Sequence, residues 1–226
     1  MSGEEGEGYT GGFGALWDGV SMRHNKYKGI LIALDGPNGS GKTTLISLLK
    51  EKLVNRGYDV CITNEPTDTE LGKYVRKFSE THEGISLACL VVGDRYEHIK
   101  NEIIPELKKG KIVITDRYIL SSLILQEMDG VETDFILKIN SNIIKPDLQV
   151  AVYADEKVLQ ERLESREILT RFEKNNQSTD ELFYMKKGIK TLLNEGIEIL
   201  EICNNGELEE NVKCIVSYVE HKWRKH

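Results

Sequence analysis

The chain has 226 residues, a length that fits one α/β domain with a single hydrophobic core. Its formal net charge of −7 argues against broad binding to nucleic acids or anionic membrane surfaces, since both need a basic face. No apolar run approaches the roughly 20 residues that span a bilayer. The four cysteines show no C-x-x-C spacing, so we expect buried free thiols in a reducing cytoplasm rather than a metal site.

Residues 1–27 differ in composition from the rest of the chain. Seven glycines are interspersed with acidic residues there, which is typical of a flexible tail. The segment lacks the basic and apolar regions of a signal peptide. We therefore predict a flexible, glycine-rich leader over residues 1–27 and a single domain over residues 28–226.

From residue 28 onward, short apolar runs alternate with longer helix-periodic segments, the pattern of a parallel sheet flanked by helices. The predicted strands cover residues 29–35, 59–63, 111–116, 148–154 and 198–203. The predicted helices cover residues 43–56, 69–79, 86–108, 118–127, 132–143, 156–165, 178–194 and 208–222. The expected fold class is α/β.

A complete phosphate-binding motif, G-x-x-x-x-G-K-[ST], follows the first predicted strand. Its glycines let backbone N–H groups close around phosphate oxygens, and the helix that follows adds its positive N-terminal dipole. Lys42 is expected to reach the β- and γ-phosphates of ATP, and the Thr43 hydroxyl to bind Mg²⁺. A tight glycine turn without a ligand is the alternative. The predicted nucleotide-binding residues are Gly36, Pro37, Asn38, Gly39, Ser40, Gly41, Lys42, Thr43 and Thr44.

Polar residues also follow the third predicted strand, and ligands of open α/β sheets bind at such strand ends. Asp116 is placed to hold Mg²⁺, directly or through water, and Arg117 offers a planar fork suited to a phosphate. An ordinary salt bridge between the two is the alternative. Three polar side chains on the next helix could read a substrate, or could form a solvated helix face: Ser121, Ser122 and Gln126.

Two further candidates flank this region. Glu65 follows the second strand and could accept a hydrogen bond from a substrate hydroxyl or from Mg²⁺-bound water. Alternatively, its segment only caps the next helix, with Thr67 or Asp68 as the N-cap. Arg95 projects from a largely apolar helix surface, so we expect it to line a pocket. A pair with Asp94 or Glu97 is the alternative.

Three arginines lie near the end of the sixth predicted helix. Arg162 and Arg166 are four residues apart and share a helix face, and Arg171 follows. We expect a short arginine-containing lid near 162–173 that closes over the polyphosphate and neutralises charge during transfer. Weak surface ion pairs with neighbouring glutamates are the alternative.

These motifs, in this order, resemble the thymidylate kinase family of P-loop nucleoside monophosphate kinases. The resemblance spans about residues 29–220 and rests on the phosphate loop, Asn64-Glu65-Pro66, Asp94-Arg95, Asp116-Arg117-Tyr118 with Ser121, Pro146-Asp147-Leu148 and Arg171-Phe172-Glu173. It implies a three-layer P-loop fold with a five-stranded parallel sheet, Mg²⁺-dependent transfer of the γ-phosphoryl of ATP to dTMP or a related pyrimidine nucleotide, and a homodimer.

The resemblance also assigns roles. Arg117 resembles the arginine that grips the acceptor phosphate, and Arg95 the one that contacts the pyrimidine edge. The arginines at 162, 166 and 171 resemble those of the lid, and Asp116 the acid near the metal.

Four positions depart from the family pattern, and all concern the acceptor. Members often carry arginine at Asn64, an aromatic residue at Val91 and at Leu125, and in some cases an acid at Asn38. Tyr96, Tyr118 or Phe183 could replace the missing aromatic ring.

Two rival hypotheses follow from these departures. A deoxynucleoside kinase would phosphorylate a hydroxyl, with Glu65 as its base. A nucleotide-dependent switch would retain the phosphate loop without catalysis.

Overall fold

The computed structural model describes residues 22–164 and 178–224. Its strands form a five-stranded parallel sheet in the order β2–β3–β1–β4–β5. They are β1 (Ile30–Asp35), β2 (Val60–Asn64), β3 (Ile112–Asp116), β4 (Leu148–Tyr153) and β5 (Ile199–Cys203). The predicted fold class is confirmed, and the predicted strand ends lie within one residue of those observed.

The helices agree with the prediction except at two places. They are α1 (Lys42–Val54), α2 (Glu70–Ser79), α3 (Gly84–His98), α4 (Ile104–Lys108), α5 (Ile119–Met128), α6 (Thr133–Ile139), α7 (Glu156–Glu164), α8 (Ser178–Asn194) and α9 (Leu208–Trp223). The helix predicted over 86–108 is confirmed as one continuous helical segment over residues 84–108, but a π-helical turn that was not predicted, Ile99–Ile103, lies inside it between α3 and α4. Pro105 has no N–H to donate, which favours such a change of hydrogen-bond register. The helix predicted over 132–143 ends at Ile139, where the Asn140 side chain bonds back to the Ile136 carbonyl.

Both faces of the sheet are buried, as the nearly continuous apolar strands require. On β1, Leu31 and Ala33 face a cluster that includes residues of α3, α5, α6 and α8. Ile30 and Ile32 face the opposite cluster, which includes residues of α1 and α9. The helix after β1 and the helix after β3 therefore lie on opposite faces, and this arrangement opens a crevice at the carboxyl ends of these neighbouring strands.

Residues 22–27, the last part of the predicted leader, contact the domain. Met22 is buried. The Arg23 N–H donates to the Ile143 carbonyl at 2.9 Å, and the Lys145 N–H donates to the Arg23 carbonyl at 2.7 Å. The side chain of Asn25 donates to Asp147.

The cysteines are free, as expected, but their predicted burial is wrong. Cys61 is half-buried, while Cys89, Cys203 and Cys214 are exposed. These positions lie on outer helix faces or on the edge strands, where apolar neighbours in sequence do not imply a core position. Within the described residues, every helix is too short or too polar to cross a bilayer.

Candidate active site

The phosphate loop joins β1 to α1 with a backbone that only glycine adopts without strain. Gly41 has φ +85°, and a Cβ there would lie 2.5 Å from the amide nitrogen of Asn204. At Gly36, with φ +154°, a Cβ would lie 1.8 Å from the Val152 carbonyl oxygen. The loop is therefore pressed against β4 and the segment after β5, and its N–H groups can approach phosphate oxygens closely.

Lys42 lies at the first position of α1 and is buried. Its Nζ donates to the carbonyl oxygens of Gly36 and Pro37, each at 2.9 Å. Burial, reinforced by the nearby Arg117 guanidinium, lowers the pKa of Lys42 to about 8. An anionic phosphate in the loop would favour the charged form of this lysine.

Asp116 and Thr43 meet at the carboxyl end of the sheet. The Thr43 hydroxyl donates to Asp116 Oδ2 at 3.3 Å. The other oxygen, Oδ1, is buried and has no hydrogen-bond partner among the described residues. An unpartnered buried carboxylate oxygen beside a hydroxyl is a donor set that suits a hard cation such as Mg²⁺.

Arg117 follows Asp116 with φ +74°, an uncommon conformation for a residue with a side chain. Its N–H donates to the Leu34 carbonyl at 2.9 Å. Its guanidinium donates to Asn38 Oδ1 at 2.7 Å and to the Ser121 hydroxyl at 3.2 Å. Arg117 thus spans from the phosphate loop to α5, and these contacts replace the simple Asp116–Arg117 salt bridge considered as an alternative.

Glu65 lies in a buried network of charged and polar groups. Its Oε2 accepts from Arg95 Nε at 2.7 Å, and its Oε1 lies 3.0 Å from His98 Nδ1. His98 Nε2 lies 2.6 Å from the Thr63 hydroxyl. Because the carboxylate only accepts, we assign a proton to Nδ1, which donates to Glu65. Both oxygens of Glu65 are therefore already engaged.

Arg95 is fully buried, and its guanidinium is held on several sides. It donates to Asn140 Oδ1 at 2.6 Å and to the Tyr118 carbonyl at 2.9 Å, and it lies over the Tyr118 ring. The alternative pairing with Asp94 is not observed, because Asp94 accepts from the Thr67 N–H and hydroxyl instead. The N-cap of α2 is Thr69, whereas the alternative interpretation of the Glu65 segment had named Thr67 or Asp68.

A cavity of about 810 Å³ opens between the phosphate loop, α2, α3 and α5. It brings together most of the predicted catalytic, metal and substrate residues: Asn38, Thr43, Glu65, Arg95, Asp116, Arg117, Ser121, Ser122 and Gln126. Ser122 Oγ is buried and has no hydrogen-bond partner among the described residues.

The far wall of this cavity is apolar and contains Val75, Leu87, Val91 and Leu125. Among the described residues, no aromatic side chain lines it. The candidate replacements lie elsewhere, because Tyr118 is in the core, Tyr96 bonds to the Ile139 carbonyl and Phe183 is exposed.

A second cavity, of about 380 Å³, lies on the other side of the phosphate loop. It is lined by Gly39, Gly41, Thr44, Arg162, Asn204, Gly206 and Leu208. Arg162 donates to the carbonyls of Gly39 at 3.2 Å and Asn204 at 3.0 Å. Arg166 and Arg171 lie outside the described residues.

Sequence analysis missed three residues that support the site. Arg76 donates to the Pro66 and Thr67 carbonyls and lines the large cavity. Asn204 bonds to the Ser40 carbonyl at 2.8 Å. Glu181 accepts from Asn38 and is buried in the first turn of α8. Acids in a first helical turn are common, so the sequence offered no signal for Glu181.

A phosphate loop beside a large cavity that is lined by Asn38, Thr43, Asp116 and Arg117 is the arrangement of a P-loop phosphotransferase. Comparison with known proteins then identifies the family. The family model described as thymidylate kinase matches residues 34–215. This chain belongs to the thymidylate kinase family, so it is an ATP-dependent phosphotransferase, as its sequence predicts.

Individual relatives agree. The probable thymidylate kinase of Pyrococcus abyssi is 35% identical over 206 residues, which cover 86% of this chain and 98% of that protein. The thymidylate kinase of Caldicellulosiruptor saccharolyticus is 34% identical over 200 residues, covering 85% and 94% respectively. The probable thymidylate kinase of Pyrococcus horikoshii is 39% identical over 155 residues, covering 65% and 76%.

Proposed function

We propose that this protein transfers the γ-phosphoryl group of ATP to dTMP, giving dTDP, with a related pyrimidine monophosphate as the nearest alternative acceptor. The observation that carries the proposal is the position of Asp116 and Arg117, which lie side by side where the phosphate loop meets the large cavity. A donor phosphate in the loop and an acceptor phosphate on Arg117 would share this junction, as in-line transfer requires.

On the donor side, Lys42 and the loop N–H groups would bind the β- and γ-phosphates. Thr43 and Asp116 would hold Mg²⁺, and the fit is supported by the unpartnered Asp116 Oδ1. The cation would neutralise charge on the triphosphate. Arg162, beside the second cavity, is suited to the far side of the nucleotide. The roles of Arg166 and Arg171 in a lid remain sequence-based predictions.

On the acceptor side, Arg117 would hold the phosphate of dTMP, while Arg95, Ser122 and Gln126 would contact the base. A phosphate oxygen of dTMP attacks the γ-phosphorus, the bond from that phosphorus to the β,γ-bridging oxygen breaks, and ADP leaves. No general base is needed, because the attacking oxygen is already anionic at neutral pH.

Glu65 bears on the rival deoxynucleoside kinase. That reaction needs a base for the attacking hydroxyl. The carboxylate oxygens of Glu65 already accept from Arg95 and His98, so its expected role is to fix Arg95 rather than to take a proton. This geometry favours a phosphate acceptor over a hydroxyl.

We further propose a homodimer, as the family resemblance implies, and a cytoplasmic location, where the four free cysteines would stay reduced. Exposed apolar side chains on α2 and α3, Tyr74 and Ile85, offer a surface for such a contact. Sedimentation equilibrium measures the mass directly, and a monomer at micromolar concentration would contradict the dimer.

The acceptor is tested by a coupled assay that offers ATP with dTMP, other pyrimidine monophosphates or thymidine. We expect turnover with dTMP, and we expect R117A to reduce it at least about 100-fold while ATP binding is retained. The control is R56A, which removes an exposed arginine that is paired with Glu220 just beyond the C-terminal end of α1 and lines neither cavity. Phosphorylation of thymidine but not dTMP would overturn the proposal, and ATP binding without any acceptor turnover would favour the switch.

A further inference from the structure

Glu181 is a buried carboxylate that has no role in the mechanism above. It lies in the first turn of α8, and only 3% of its surface is exposed. One carboxylate oxygen, Oε2, accepts from the backbone N–H of Asn38 at 2.8 Å, and the other, Oε1, lies 3.4 Å from Asn38 Nδ2. Glu181 therefore holds the third residue of the phosphate loop by both its backbone and its side chain.

Asn38 in turn contacts Arg117. Its Oδ1 accepts from the Arg117 guanidinium at 2.7 Å, while its Nδ2 faces Glu181. A carboxylate can only accept and a guanidinium can only donate, so these two partners fix which way the amide points. The carboxylate on one side is what keeps the amide oxygen turned toward the arginine on the other.

We propose that Glu181 is a positioning residue for the acceptor phosphate, because it orients Asn38 and through Asn38 the guanidinium of Arg117. This inference rests on the proposed function, in which Arg117 binds that phosphate. Asn38 departs from the acid that some family members carry in the loop, and Glu181 places a carboxylate beside Asn38 from α8.

The electrostatic surroundings agree with a positioning role. Burial raises the pKa of Glu181, although the Asn38 N–H and the charges of Arg117 and Lys42 act in the opposite direction. A buried carboxylate by itself destabilises the fold. If the role of Glu181 were purely structural, glutamine, its uncharged isostere, should therefore be tolerated without loss of function.

The test is E181Q, compared in a steady-state assay with D180N, an exposed neighbour on the same helix. The introduced amide would donate toward Asn38, turn its side chain and present a donor to Arg117. We expect KM for dTMP to rise about tenfold, while KM for ATP changes less than twofold. D180N should behave as the wild type.

The double variant N38D/E181Q tests the same idea by rescue. It exchanges the amide and the carboxylate, so the acid at position 38 can accept from both the new amide and Arg117. We expect KM for dTMP to return to within about threefold of the wild-type value. This variant also decides the question if E181Q alone does not fold.

The outcomes separate the two proposals. A wild-type protein that does not phosphorylate dTMP refutes the proposed function. A wild-type protein that does, together with an E181Q variant whose KM for dTMP is unchanged, refutes the positioning role. A parallel rise of both KM values, or a double variant that shows no recovery, also refutes it, since either result indicates general damage to the loop.

Discussion

The donor half and the acceptor half of the active site are built in different ways. The proposed donor half is built mainly on one continuous segment, residues 36–43, whose glycines and N–H groups form the loop, with Asp116 and Arg162 beside it. The acceptor half is assembled from side chains of β2, α2, α3, β3 and α5 that are far apart in sequence. One of its arginines, Arg95, depends on a buried partner, Glu65, for its charge balance. We therefore expect the two halves to fail differently when a single side chain is removed.

The largest effect is expected for K42A in the donor half. Without the ammonium group of Lys42, the negative charge on the transferring phosphoryl group loses its stabilisation. We therefore expect kcat to fall by about 100- to 1,000-fold. Stability should not fall, since burial already disfavours the charge of Lys42 and lowers its pKa to about 8. Turnover and thermal unfolding of the same preparation measure both effects. A variant that loses activity only because it unfolds would contradict the distinction between the halves.

E65A should damage the acceptor half through stability. Glu65 and Arg95 are both buried and are joined at 2.7 Å, so removing the carboxylate leaves an unpaired buried guanidinium. The expected loss is about 3–5 kcal/mol of unfolding free energy, measured by urea denaturation. The matched control is E70A, which breaks an exposed pair with Lys73 and should leave the midpoint unchanged. Equal midpoints for E65A and the wild type would show that the stability of the fold does not depend on the pairing of Glu65 with Arg95.

V91F addresses the missing aromatic ring in the acceptor half. Val91 lines the apolar wall of a cavity that has room for a larger side chain. A ring that stacks on the base contributes about 1–3 kcal/mol, so KM for dTMP should fall by at least about fivefold. V54F, an exposed position on α1, serves as the control. No change in KM would mean that the base lies against another part of the wall.

The same contrast explains what the sequence could predict. The strands, the phosphate loop and the pairing of Thr43 with Asp116 follow from local motifs and from the rule that ligands bind at strand ends. The contacts of Arg95 with Asn140 and Glu65 do not, because Arg95 and Asn140 belong to no strand end and no local motif brings them together. Glu181 lies 143 residues from Asn38, and nothing in its own segment distinguishes it from a solvated acid.

The smallest effect concerns pH and stability at the contact between the two halves. Burial raises the pKa of Glu181 in the folded protein above its usual value, so the protonated form is favoured on folding. The unfolding free energy of the wild type therefore decreases as pH rises from the unfolded-state pKa to the raised folded-state pKa. Above the folded-state pKa the decrease is complete. E181Q has no charge to bury, so its Tm should exceed that of the wild type at pH 8. The difference should shrink as pH falls toward 5.

Scanning calorimetry between pH 5 and pH 8 measures this difference in Tm. A difference that widens toward low pH would show that the charges of Arg117 and Lys42 outweigh burial. A stabilised E181Q that binds dTMP more weakly would separate the role of Glu181 in the site from any role in the fold.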